Sequence, residues 1–247
     1  MYICGLNKTT LLDYPEHLAA TLFLRGCDFR CPFCQNSSLV LPERYPENIS
    51  EEEVLAFLQK RASILEGVCI TGGEPTLQKV LPDFISKIKA LGLKVKLDTN
   101  GNHPDMLEQL LKEQLLDYVA MDIKNSRENY ARTIGLTGQM ATGNATKDVG
   151  DFMKVVIRNI ETSISLLKNS PIPYEFRTTI VKELHTHEDM QKMGQWLKGS
   201  PVLFLQSFED SGEILTDGLS AHPKETLLEF QQILSEYINR VELRGIR

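Results

Sequence analysis

Ala19-Ala20-Thr21-Leu22-Phe23-Leu24-Arg25-Gly26-Cys27-Asp28-Phe29-Arg30-Cys31-Pro32-Phe33-Cys34-Gln35-Asn36 reads as a strand running straight into a cysteine loop. Residues 19–24 form a β-branched and apolar run without a turn residue, as a buried strand requires. Three of the chain's five cysteines then fall within eight residues, spaced C-x3-C-x2-C. Clustered thiols at such spacing point to metal or catalysis rather than to a disulfide. The stretch therefore predicts a strand that delivers a metal-binding loop to the end of a sheet.

Outward from it, strand-like runs alternate with amphipathic helical patterns. The further strands are predicted at residues 67–71, 93–98, 117–123, 174–181 and 202–206. Between them lie helical stripes: Val54, Phe57, Leu58 and Arg61; Leu81, Phe84, Ile85, Ile88 and Leu91; Met106, Leu107, Leu110 and Leu111. Later stripes are Phe152, Val155, Val156, Ile160, Ile164 and Leu167, then Met190, Met193, Trp196 and Leu197, then Leu227, Phe230, Ile233, Leu234 and Tyr237. Ser50 with Glu53 makes a capping box, Gly92 marks a helix end, and Thr186 is an N-cap. Six βα units in a row imply a parallel sheet with right-handed crossovers. Periodicity leaves its closure open between a doubly wound sheet and a partial or complete barrel. No linker stands out, so one domain over 1–247 is expected, with its core at 15–210 and a C-terminal helix at 222–240. Residues 126–150 break the rhythm and are expected to be irregular, either a lid or partner-facing loop or simple disorder.

Composition narrows the function classes. At 247 residues and 42% hydrophobic, the chain can bury a sizeable core. A net charge of −6 without a dense basic run argues against nucleic-acid binding. No apolar run approaches the ~20 residues of a membrane span. Met1-Tyr2-Ile3-Cys4 does not open a secretory signal, so a cytoplasmic protein is expected, with no membrane partner. Cys69 reads as plain core, and Cys4 as a buried or edge residue rather than a fourth ligand. The five histidines read as solvated or capping residues.

Ligands of parallel α/β sheets bind at the carboxyl ends of strands. Here those ends carry the cysteine loop, Gly72-Gly73-Glu74, Asp98 with Asn100, Asp122 with Lys124, Arg177, and Gln206. Three thiolates can hold three irons of a [4Fe–4S] cluster and leave the fourth open, whereas a structural zinc wants four protein ligands. No fourth Cys or His follows at finger spacing, which favours iron–sulfur. Gly72-Gly73 fits either close backbone approach to a ligand or a tight strand-to-helix turn. Asp98 and Asp122 suit ribose hydroxyls or an ammonium group, or else strand-end capping or a surface ion pair. Lys124 and Arg177 suit a carboxylate, with an ion pair from Arg177 to Glu175 or another barrel-end acid as the plainer alternative. No Ser-His or paired-carboxylate constellation calls for a side-chain acid or base.

These residues together resemble the radical S-adenosylmethionine superfamily. The resemblance rests on Cys27, Cys31 and Cys34 with Phe33, on Gly72-Gly73-Glu74-Pro75, and on Asp98-Thr99-Asn100-Gly101. It implies an α/β fold, a partial (β/α)6 TIM-like barrel, which agrees with the six units counted above. Within the superfamily the chain is similar to the glycyl-radical-enzyme activases, above all the activating proteins of anaerobic ribonucleoside-triphosphate reductase. That similarity is carried by Leu11-Leu12-Asp13-Tyr14-Pro15, residues 72–78, Met121-Asp122-Ile123-Lys124, residues 174–181 and residues 205–208.

The resemblance implies that Cys27, Cys31 and Cys34 ligate one [4Fe–4S] cluster whose fourth iron binds S-adenosylmethionine. It places Gly72, Gly73 and Glu74 at the methionyl amine, Phe33 against the adenine, and Asn36, Asp98, Asn100, Asp122, Lys124 and Arg177 near the methionine and ribose. Gln206 stands near a position where a related activase has His. The implied reaction is reductive cleavage of S-adenosylmethionine to a 5′-deoxyadenosyl radical, which abstracts hydrogen from a glycine of a partner enzyme. The implied partners are a glycyl radical enzyme and a flavodoxin- or ferredoxin-like electron donor. The alternatives are an activase of a pyruvate formate-lyase-like enzyme, a radical enzyme acting on a small molecule or peptide, and a non-catalytic zinc or iron–sulfur module.

Overall fold

The computed structural model describes residues 1–136 and 145–246, with the backbone alone for residues 145–149. Its strands are β1 (Ile3–Thr10), β2 (Ala19–Leu24), β3 (Gly67–Gly72), β4 (Lys94–Thr99), β5 (Tyr118–Asp122), β6 (Tyr174–Ile180), β7 (Leu203–Ser207) and β8 (Val241–Arg244). Its α-helices are α1 (Ser37–Val40), α2 (Glu51–Arg61), α3 (Leu81–Ala90), α4 (Pro104–Lys112), α5 (Tyr130–Thr133), α6 (Ala145–Lys168), α7 (His187–Trp196) and α8 (Lys224–Ser235). The sheet order is β1-β2-β3-β4-β5-β6-β7-β8, each strand beside its neighbour in sequence. The six strands expected from the sequence are β2 to β7.

Two flanking strands escaped the periodicity. β1 pairs antiparallel with β2, and β8 pairs parallel with β7. β1 is buried only at its ends, so it shows neither an apolar run nor clean alternation. β8 has four residues, of which only Val241 is buried. Cys4 lies on β1, the edge position expected for it.

Internal contacts divide the chain into two compact units. The first comprises Met1–Asp28, Asn36–Ala120 and Thr162–Pro173. In it β2, β3 and β4 run parallel in continuous register, from Ala19↔Gly67↔Lys94 to Leu22↔Ile70↔Leu97. Val54 and Leu58 of α2, Phe84, Ile85 and Ile88 of α3, and Leu107 and Leu110 of α4 are buried. These are the i, i+3, i+4 stripes that an amphipathic helix turns inward. Ser50 caps α2 by accepting the Glu53 amide at 3.1 Å, and Gly92, at φ +80°, closes α3. Asp117 ties the start of β5 back to β4, accepting the Val95 amide at 2.7 Å and Lys89 Nζ at 2.6 Å.

The second unit comprises Phe29–Gln35, Met121–Glu161 and Tyr174–Arg247. It holds the parallel strands β6, β7 and β8 with α7 and α8. Thr186 caps α7 in a full capping box with Asp189. The same Asp189 carboxylate accepts Ser126 Oγ at 2.5 Å and Asn129 Nδ2 at 2.8 Å. Met190 and Met193 are core, as expected.

Parts of residues 126–150 are helical rather than irregular. Residues 130–133 form α5, and α6 already begins at Ala145 and runs for 24 residues. The sequence missed this start because Ala145-Thr146-Lys147-Asp148-Val149-Gly150 is polar and contains Gly and Thr, both poor helix formers. Residues 137–144 of that segment lie outside the described residues. Phe152 and Val155, assigned to the apolar stripe of α6, are 46% and 42% exposed, whereas Val156, Ile160, Ile164 and Leu167 are buried. No helix among the described residues is long and apolar enough to cross a membrane.

Candidate functional site

In the first unit the ends of β2 and β3 are fitted backbone against backbone. Gly73 N–H donates to Leu24 O at 2.8 Å, and Glu74 N–H to Gly26 O at 2.6 Å. A Cβ on Gly72 would lie 2.3 Å from Leu24 O, and one on Gly73 2.1 Å from Gly26 O. Gly72 also has φ +122°, where an L side chain is strained. The glycine pair is therefore required by the chain's own packing, a third reason beside ligand approach and a tight turn. Asn36 Nδ2 donates to Gly72 O at 3.3 Å and so reaches this strand end as well.

Glu74 is fully buried. Its carboxylate accepts the Thr76 amide at 3.0 Å, the Thr76 hydroxyl, the Thr99 hydroxyl at 2.8 Å and the Asn100 amide at 2.6 Å. Burial pushes this carboxyl up against the opposing pull of those donors. The side chain braces the turn after β3 to the end of β4, a job the motif alone did not disclose. Asp98 forms an ion pair with Lys96, whose side chain is only 2% exposed. Lys96 Nζ also stands 3.8 Å from Cys69 Sγ, and Cys69 is buried core as expected.

The start of the cysteine loop is tied to the segment after β4. Asp28 accepts Asn100 Nδ2 at 2.8 Å and Asn102 Nδ2 at 2.5 Å, and meets His103 Nε2 at 3.1 Å. Asn100 Nδ2 is also 4.0 Å from Cys27 Sγ. Burial works to raise the Asp28 carboxyl, but the bonds from His103, Asn102 and Asn100 outweigh it and hold it below the ordinary range. The bond to Asp28 raises the His103 imidazole. Asp28 and Asn102 were not singled out from the sequence and His103 was read as solvated or capping; the signal they carried was nearness in sequence, Asp28 beside a clustered cysteine and the other two within three residues of Asn100.

In the second unit, Cys31 is buried, and Cys34 N–H closes a turn onto Cys31 O at 3.0 Å. Burial pushes the Cys31 thiol up to about 12, with the nearby Lys124 ammonium opposing. Phe33 is buried. The loop is held from three sides: Arg30 N–H donates to Ile134 O, Leu215 and Thr216 donate to Pro32 O, and Gln35 Nε2 donates to Glu209 O at 2.7 Å. Gly135 is needed at the first of these, since a Cβ there would lie 2.0 Å from Arg30 O.

Asp122, Lys124 and Arg177 come together in the ion pairing that was the plainer reading of Asp122 and Arg177. Asp122 Oδ1 meets Arg177 Nε at 2.9 Å, and Oδ2 meets Lys124 Nζ at 2.9 Å. Burial disfavours the charged carboxylate, yet the two cations outweigh it and draw Asp122 down to about 2. Glu175, the plainer partner considered for Arg177, is 3.5 Å from Arg244. Gln206, near the end of β7, is exposed. His185 corrects the reading of all histidines as solvated or capping. It is buried, accepts the Val181 amide on Nδ1 at 3.0 Å, and meets Lys124 O through Nε2 at 2.8 Å. A buried histidine with both ring nitrogens engaged is indistinguishable in sequence from one in a turn.

Among the described residues no three Cys, His, Asp or Glu side chains are grouped as ligands of a single ion. The donor set still suits a thiolate-bound cluster by its chemistry. None of the five cysteines is in a disulfide, and three of them are soft thiols within eight residues of one loop. An amide donor stands near Cys27 Sγ, and the Lys124 cation favours the thiolate of Cys31.

Residues 21–165 match the Radical SAM superfamily. A Methanocaldococcus jannaschii protein provisionally named a glycyl-radical enzyme activating enzyme is 30% identical over 99% of this chain and 96% of its own length. The 7-carboxy-7-deazaguanine synthase of Thermococcus kodakarensis is 28% identical over 76% of this chain and 74% of its own. Among solved structures, a radical SAM methyltransferase from Sphaerobacter thermophilus superposes with a TM-score of 0.65 at 14% identity, over 94% of this chain and 68% of that one. Streptococcus suis SuiB bound to S-adenosylmethionine gives 0.61 at 12% identity, over 92% and 52%. These likenesses bear out the α/β fold of partial-barrel type expected from the sequence.

Proposed function

Because the chain belongs to the radical S-adenosylmethionine superfamily, we propose that it is a glycyl-radical-enzyme activase whose partner is an anaerobic ribonucleoside-triphosphate reductase. The observation that carries the activase reading is the likeness to the Methanocaldococcus jannaschii protein, which extends over 99% of this chain rather than over the shared motifs alone. The choice of partner rests on the motif resemblance, from Leu11-Leu12-Asp13-Tyr14-Pro15 to residues 205–208.

Cys27, Cys31 and Cys34 would hold one [4Fe–4S] cluster. When bound, the reduced cluster and S-adenosylmethionine supply one-electron cleavage of the C5′–S bond and hence hydrogen-atom abstraction. The protein's residues bind and orient. The Gly72-Gly73 strand end offers backbone carbonyl oxygen to the methionyl amine, Asn36 is bonded to that strand end at Gly72 O, and Glu74 braces it to the end of β4. Asp98, oriented by Lys96, and Asp122, oriented by Lys124 and Arg177, offer carboxylate oxygens to ribose hydroxyls or the ammonium group. Phe33 supplies an aromatic face for the adenine, and Gln206 a side-chain amide. No side-chain acid or base is assigned. Residues 126–150 are proposed as the partner-facing segment, a flavodoxin- or ferredoxin-like protein as electron donor, and the cytoplasm as the location.

The test is anaerobic reconstitution with iron and sulfide, reduction, and product analysis. Methionine and 5′-deoxyadenosine should form, and Cys27→Ala, Cys31→Ala or Cys34→Ala should abolish both. With an anaerobic reductase added, a glycyl-radical doublet should appear in the electron-spin spectrum. An iron-loaded, reduced protein that yields no 5′-deoxyadenosine overturns the enzymatic reading. Cleavage without a doublet on any glycyl-radical partner favours a small-molecule substrate, the reading to which the deazaguanine synthase likeness points.

A further inference from the structure

Asp28, beside Cys27 in the cysteine loop, is held by several side chains at once. Three side chains from the segment after β4 converge on its two oxygens: Asn100 at 2.8 Å, Asn102 at 2.5 Å and His103 at 3.1 Å. Its own side chain is only 20% exposed. Such a carboxylate cannot rotate without losing several charge-assisted bonds at once. The consequence for Asn100 is specific. Its backbone amide is held by Glu74 at 2.6 Å, and its side-chain oxygen accepts the Asn102 amide at 2.9 Å. With the oxygen and the backbone so fixed, the side-chain NH2 is directed at Asp28 and at the sulfur of Cys27, 4.0 Å away. One amide thus serves a carboxylate and a thiol that are adjacent in sequence.

We infer that Asp28 is a positioning residue that holds the Asn100 side-chain amide toward the Cys27 sulfur, and that this N–H sets the electron affinity of a cluster bound through Cys27. The inference rests on the assignment of Cys27 as a cluster ligand. Its physical basis is general. Hydrogen bonds to cluster sulfurs set reduction potential, because a donor dipole stabilises the more negative, reduced state. Losing the donor therefore lowers the potential.

The experiment is a spectroscopically monitored redox titration of the full-length reconstituted protein, with iron content and melting temperature measured in parallel. In Asn100→Ala the reduced-to-oxidised ratio at a fixed poise should fall about threefold, roughly 28 mV at ~59 mV per decade for one electron. Asn102→Ala removes a bond to Asp28 but no donor from the sulfur, and should keep the parent potential. The Asp28→Ala background isolates the positioning step. There the Asn100 amide is no longer held, so adding Asn100→Ala should produce no further shift, whatever the direct effect of removing the charge. An Asn100→Ala protein with parental iron content and parental potential overturns the inference. An equal shift in both backgrounds overturns the role of Asp28. A parent chain that takes up no iron removes the cluster assignment, and this inference with it.

Discussion

Glu74→Ala tests whether this carboxylate is an internal brace. In the structure it is fully buried and accepts four hydrogen bonds. Its removal strands two buried backbone donors, the amides of Thr76 and Asn100, each costing about 1–3 kcal/mol when left unpaired. The hydroxyls of Thr76 and Thr99 can rotate to other acceptors and add little. Working the other way, burial already pushes the Glu74 carboxyl up, so deleting it relieves a desolvation penalty. The donors outnumber that relief, leaving a net loss of about 2–4 kcal/mol. For a chain of this size that corresponds to roughly 5–15 °C in melting temperature. The assay is thermal denaturation of the metal-free chain followed by circular dichroism, since a bound cofactor would add its own stabilisation. Glu74→Gln retains one acceptor oxygen but sets an NH2 against donors, and should fall between the parent and Glu74→Ala. A Glu74→Ala chain melting within ~2 °C of the parent would refute the brace and return Glu74 to ligand contact alone.

Gly73→Ala places a methyl 2.1 Å from Gly26 O. It should destabilise by about 3 kcal/mol or prevent soluble expression; a parental denaturant midpoint would contradict the backbone fit. Asp122 has a native carboxyl near 2 against an ordinary 3.8, so its stabilisation is complete above about pH 4 and is lost as pH falls toward 2. Asp122→Asn should therefore cost about 2 kcal/mol at pH 7 and flatten the acid limb of the stability profile; an unaltered limb would sink that account. Thr186→Ala removes the capping box of α7 and should lower stability by about 1–2 kcal/mol, read as a lower denaturant midpoint with unchanged slope.

The sequence alone determined the βα alternation, the cysteine loop and the chemical residues at successive strand ends. Each is a local property: an apolar run, a 3.6-residue stripe, or a spacing between thiols survives being read one residue at a time. Only the tertiary structure decided why Gly72 and Gly73 carry no side chain, because the obstructing atoms belong to Leu24 and Gly26, about fifty residues earlier. It alone turned Glu74 from a ligand motif into a brace, buried His185, and drew Asn100, Asn102 and His103 onto Asp28. β1 and β8 belong with these: a half-covered edge strand has no one-dimensional signature, and its stability comes from the neighbour to which it bonds. A side chain's job depends on which donors and acceptors meet it across the fold, and chain order carries almost no record of those partners.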